Sequence, residues 1–159
     1  MKAGAPSAQH GVAVLEFAFV LPVFMLLLYG LITFGAAFYV QLVVSRAAED
    51  GARIAMSNSA TDDAIKAEVV NSLATSTIVP PSQSTNYSTR RNWLLQQVTA
   101  SPSLVLVQRN SACTGAGSTD TVSVTVRFPY SREAGTRQLP SLLGEWMPDT
   151  LVSCASAQL

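Results

Sequence analysis

The chain has 159 residues, enough for one modest domain, with ten basic and ten acidic side chains and a formal net charge of zero. That balance lacks the basic surface a nucleic-acid partner requires, so no nucleic-acid binding is expected. Only 13% of the residues are charged against 48% hydrophobic, and the apolar ones crowd between positions 12 and 44, which marks part of the chain as not solvated by water.

Residues 1–11 form a short polar tail containing Ala, Gly and Pro. From Phe17 to Ser45 no residue is charged. As a helix this run spans roughly 43 Å at about 1.5 Å per residue, whereas a hydrocarbon core needs about 20 residues. A cleaved secretory signal has an apolar core of about 7 to 15 residues followed by a small-x-small exit site. This run is longer and no clean Ala-x-Ala follows it, so a retained transmembrane helix over residues 12–45 is expected, tilted or protruding. Pro22 is a candidate kink, tolerated in lipid where neighbours satisfy the freed carbonyl. Gly30 and Gly35 are five apart and form no GxxxG pair, but Gly35, Ala36 and Ala37 permit close helix contact. Lys2 lies on one flank and Arg46 and Arg53 on the other, so counting Lys and Arg does not decide the orientation.

The helical pattern runs on through "SRAAEDGARIAMSNS" and is expected to end near Met56, with 57–60 as a break and Gly51 weakening the stretch slightly. "TDDAIKAEVVNSLATS" reads as a second helix. Thr61 is a candidate cap, Asp62 and Asp63 suit the first-turn dipole, and Ile65, Val69 and Leu73 form one apolar stripe. "STIVPPSQSTNYST" reads as a loop. The adjacent pair Arg90-Arg91 reads as solvated loop charge where "RRNWLLQQV" begins, a short helix with Trp93, Leu94, Gln97 and Val98 near one face.

Strand patterns follow. "SLVLVQR" (103–109) is apolar and β-branched. "TVSVTVRF" (121–128) alternates, with Val122, Val124, Val126 and Phe128 on one face and Thr121, Ser123, Thr125 and Arg127 on the other, as in a half-buried strand. The Gly/Ser-rich link between them suits antiparallel pairing. Residues 128–149 read as an irregular crossover with one helical turn around Leu139 to Trp146, and "TLVSCASAQL" (150–159) as a closing strand. Helices first and strands later give an α+β class: a long helix and a second helix covering a three-stranded antiparallel sheet, with 46–159 as the folded domain. Cys113 and Cys154, the only cysteines, are either a disulfide closing a loop of about 40 residues, worth roughly 4 kcal/mol, or two buried thiols. The bond is the favoured reading and implies an oxidising compartment.

Chemistry of the catalytic kind is missing. The only histidine is His10, in the leading tail, so Ser-His-Asp and Cys-His arrangements are excluded from the trailing domain. Zinc-type ligand spacing and a Walker loop are absent as well. No enzymatic activity, cofactor or metal is expected.

The informative stretch is "HGVAVLEFAFVLP" (10–22), where Glu16 stands at the head of the apolar run. A charge at the centre of a membrane helix costs about 3 kcal/mol, and less near the edge, so Glu16 is either a headgroup-level marker or a group with a partner. Cutting after Gly11 sharpens this. Val12 then carries a free positive amine and Glu16 lies at mature position five, where the helix dipole favours a carboxylate. Its partner is its own amine or that of a neighbouring subunit, since paired charges cost less in lipid than lone ones.

With Gly11 before the cut and Glu16-Phe17 at mature five and six, this segment resembles the class III signal of type IV pilin-like proteins, and more narrowly TadE-type pseudopilins of the Tad (Flp) pilus system. "SRAAEDGARIA" (45–55) is similar to the family's Ala-rich segment, "VSVTVRFPY" (122–130) to its strand and aromatic-Pro-Tyr turn, and "LVSCASAQL" to its closing strand. The resemblance implies a type IV pilin-like fold and a leader over residues 1–11 removed by prepilin peptidase between Gly11 and Val12. It implies other pseudopilins, the major pilin, an inner-membrane assembly platform and membrane lipid as partners. It also implies a bacterial inner-membrane protein with a cytoplasmic N-terminus and a periplasmic domain, retained at the base of the fibre or incorporated in it. The alternative is an unprocessed, membrane-anchored binding module.

Overall fold

The computed structural model describes residues 10–57, 60–113, 115–116, 119–131, 133–136 and 147–158. The expected helical turn at Leu139 to Trp146 and the tail before His10 lie outside the described residues. The chain divides into two compact units, residues 1–36 and 37–159, with the first helix, α1 (His10–Ala55), running from one into the other. Pro22 lies inside α1 without ending it.

In the second unit the expected α+β order is present. α1 ends at Ala55, and α2 (Asp62–Thr75) opens where Thr61 accepts a hydrogen bond from the Ala64 amide. That cap satisfies one of the helix's orphan donors, and Asp62 and Asp63 follow in the first turn. The stripe Ile65, Val69 and Leu73 is fully buried, together with Val70 and Ala74. α3 (Tyr87–Ala100) starts earlier than the expected Arg90, because the Asn86 side chain caps it by accepting from the Thr89 amide.

The pair Arg90-Arg91 is therefore helical, which corrects the loop reading. Arg90 Nε donates to the Ala74 carbonyl at 2.8 Å and its Nη1 to the Ser84 carbonyl, while Arg91 Nε donates to Asn71 Oδ1 at 2.9 Å. The two cations satisfy acceptors in the last turns of α2 and of the connecting loop, where a helix dipole favours positive charge.

The main sheet has three strands, all antiparallel. β1 (Val105–Arg109) pairs Val105 with Val126 and Val107 with Val124. β4 (Thr121–Pro129) pairs Val124 with Ala155, Thr125 with Cys154 and Phe128 with Leu151 of β5 (Thr150–Gln158). Between β1 and β4 lies a short hairpin, β2 (Ser111–Ala112) and β3 (Gly115–Ala116). The Gly/Ser-rich composition there suggested loop alone. The chain turns into the hairpin at Asn110, whose φ of 62° is in the left-handed region that asparagine tolerates better than most residues.

Val122, Val124, Val126 and Phe128 are completely buried, as the alternation required. They meet a stripe of α1, Val40, Val44, Ala47, Ala48, Ala52 and Ala55, and the apolar stripe of α2 in one core. Within this stripe Gly51 is a point of contact rather than a weakness. A Cβ there would lie 2.6 Å from Val69 Cγ2 and 3.1 Å from Val124 Cγ1, so α1 approaches α2 and β4 only because the side chain is missing.

The opposite face of β4 departs from the half-buried expectation, since Thr121 and Ser123 are also buried. β2 lies beside β4, and Cys113, in the turn of its hairpin, is joined to Cys154 by a disulfide with 5.8 Å between the Cα atoms. Cys154 stands opposite Thr125 in the ladder and so shares its face. The bond ties the hairpin to the polar side of the sheet.

Candidate functional site

The apolar helix is the candidate site. Its described residues from Ala13 onward form a helix long and apolar enough to cross a bilayer by length and composition, and only 6% of the most apolar window is buried. Phe17, Phe19, Val20, Val23 and Leu26 are each more than 60% exposed. A helix that is apolar on every side and uncovered is suited to lipid or to other helices rather than to water.

The proposed cleavage residues Gly11 and Val12 lie in the first turn of α1. Glu16 is exposed and has Phe19 and Val20 three and four positions further on, so it heads an apolar ridge continued by Val23 and Leu27. No acid stands in the first turn of the uncut helix. A start at Val12 would bring Glu16 one turn from the new end, about 6 Å along the axis. The dipole and the unpaired amides of the first turn act over that distance.

The remaining sequence-derived positions lie elsewhere. Phe17 neighbours Glu16 and is 64% exposed. Pro22 lies further along α1, and the Cys113–Cys154 bond belongs to the sheet. The uncovered apolar residues Phe17 to Leu27 thus belong to the first unit and the disulfide to the second. Among the described residues no group of three or more His, Cys, Asp or Glu side chains is placed to hold a metal.

Gly51 is the structural position that sequence reasoning undervalued. The signal available was the run of small residues Ala47, Ala48, Gly51 and Ala52, at spacings that put all four on one side of a helix.

Fold and helix together define a class: a small disulfide-bonded α+β domain carried on one N-terminal helix of membrane-spanning length and composition. Residues 11–53 match the family model described as TadE-like protein. The match begins at Gly11, ends two residues before α1 does, and is consistent with a TadE-like protein. No curated protein and no solved structure gives a significant match.

Proposed function

We propose that this chain is a minor pseudopilin, an assembly subunit of the Tad (Flp) pilus that helps initiate or prime the fibre. Residues 1–11 are its leader, 12–45 its transmembrane helix and 46–159 its extracytoplasmic domain. Prepilin peptidase cuts between Gly11 and Val12, with the N-terminus in the cytoplasm and the domain in the periplasm. The single observation that carries the reading is the position of Glu16: an exposed carboxylate, one turn from the cut, at the head of an uncovered apolar helix within the segment that matches the TadE-like family.

The chemistry follows from charge in lipid. The cut removes Lys2 and His10 and leaves an amine on an apolar helix end. Glu16 of one subunit and the Val12 amine of its neighbour neutralise one another, and the pair fixes the axial register of two helices that otherwise slide on apolar surfaces. The exposed ridge Phe19, Val20, Val23 and Leu27 supplies the packing. The pseudopilins and the major pilin are the partners of this surface, and the inner-membrane platform holds the subunit during assembly.

Expression with and without prepilin peptidase tests the reading. With the peptidase the protein should lose the mass of residues 1–11, and Gly11→Leu should abolish the loss. A Gly11→Leu protein processed as the parent would refute it. An intact chain that still binds the cell surface or a ligand would favour the unprocessed binding module instead.

A further inference from the structure

The uncharged run ends at Ser45, and the first charge after it is Arg46. Arg46 is exposed and forms no ion pair or hydrogen bond among the described residues. Asp50 follows one turn later, yet the two do not pair. A cation N-terminal to an acid is the weaker order on a helix, and Asp50 Oδ2 instead accepts a 2.7 Å hydrogen bond from Ser72 of α2.

Between α1 and the end of α2 these residues line an open groove of about 330 Å³. The α2 side of this groove carries acceptors. The Thr75 hydroxyl donates to the Ser72 carbonyl at 2.6 Å and the Ser76 hydroxyl to the Leu73 carbonyl at 2.7 Å, so their protons are engaged and lone pairs remain. The negative end of the α2 dipole adds to the Asp50 carboxylate. At the other end of the groove stand Tyr39 and Leu42, each about half exposed and both within the apolar run.

We infer that this groove seats a zwitterionic phospholipid headgroup of the phosphoethanolamine type. The phosphate takes Arg46, the ammonium takes Asp50 with the acceptors of Ser72 and Thr75, and the acyl chains leave past Leu42 and Tyr39. The separated but unpaired cation and anion match the charge order of that headgroup, and the apolar end matches its tails. This rests on the membrane-spanning reading of α1 given above. The lipid, rather than a soluble phosphoethanolamine ester, is the occupant because the groove is continuous with apolar surface on α1.

The test is native mass spectrometry of the full chain, delipidated in detergent, with phosphatidylethanolamine and phosphatidylglycerol offered at equal concentration. The wild type should retain phosphatidylethanolamine about fivefold over phosphatidylglycerol, the effect of about one surface charge contact. Asp50→Asn should bring the ratio to parity, whereas Arg46→Gln should lower retention of both lipids, since both carry the phosphate, and Arg46→Lys should restore it. Unchanged retention in Arg46→Gln, or an unchanged ratio in Asp50→Asn, overturns the inference. The side chain of Arg46 is exposed and Asn keeps an acceptor for Ser72, so unchanged melting curves are expected for these variants. Equal retention of both lipids by the wild type overturns the inference. It is also overturned if glycerophosphoethanolamine binds as well as the lipid, or if inorganic phosphate displaces the lipid as effectively as glycerophosphoethanolamine does. Resistance of the protein to alkaline carbonate extraction is measured alongside. Release from the membrane would defeat the spanning reading itself, whereas a retained protein without lipid preference would defeat only the headgroup site.

Discussion

Replacing Gly51 by alanine sets two effects against each other at one position. On helix propensity alone Ala is better by about 1 kcal/mol. The added Cβ, however, would stand 2.6 Å from Val69 Cγ2, 3.1 Å from Val124 Cγ1 and 3.6 Å from Ile65 Cγ2. Val69 lies in α2 and is completely buried, and a valine in a helix has one strongly preferred rotamer, so it has little freedom to turn aside. Overpacking costs typically about 1 to 3 kcal/mol, and the stiff, fully buried neighbours here put it in the upper part of that range, at about 2 to 3. The net expectation for Gly51→Ala is a loss of about 1 to 2 kcal/mol, a fall in Tm of roughly 3 to 8 °C for a domain of this size. The assay is thermal unfolding of the full chain in detergent, followed by near-ultraviolet circular dichroism. A double-mutant cycle isolates the cause. Val69→Ala alone should cost about 2 kcal/mol as a cavity, but it removes the atom that meets the new Cβ. In that background Gly51→Ala should be close to neutral, a coupling of about 1 to 2 kcal/mol. A Gly51→Ala protein as stable as the parent, or one equally destabilised with and without Val69, would refute the close-approach explanation.

Other outcomes follow from the same structure. Glu16→Val should still be cut after Gly11 yet fail to support piliation, scored by counting pili on cells carrying only the variant; normal piliation would remove the role given to the carboxylate. Cys154→Ser should lower stability by roughly 3 to 4 kcal/mol, the expected effect of opening a loop of 41 residues, and a reductant should reproduce the shift in the parent but not in the variant. Thr61→Ala should cost about 1 kcal/mol through the lost cap on the Ala64 amide, measured as a denaturation midpoint, with Thr61→Ser close to the parent.

Where local chemistry decided the outcome, the chain was legible. Alternation placed Val122 to Phe128 in the core, and Thr61 with two aspartates marked the start of α2, because caps and strand periodicity depend only on near neighbours. What depended on distant partners was hidden. Gly51 looked like a weak helix residue, since its reason is Val69 on another helix. The polar residues of β4 looked solvated, since their cover is a hairpin of two-residue strands held by Cys113. Arg90 and Arg91 looked like loop charge because their acceptors, Ala74, Ser84 and Asn71, lie 6 to 20 residues away. Glu16 is a different case. Its residue type and spacing were readable, but the partner assigned to it is an amine that exists only after a cut, on a second copy or a sister subunit.

That amine is where the proposed function is most exposed to test. The direct measurement is the intact mass and N-terminal sequence of the protein purified from the membranes of piliated cells. A chain beginning at Val12 is the expected result, with the positive end one turn from Glu16. A chain that still begins at Met1 in working cells would contradict it.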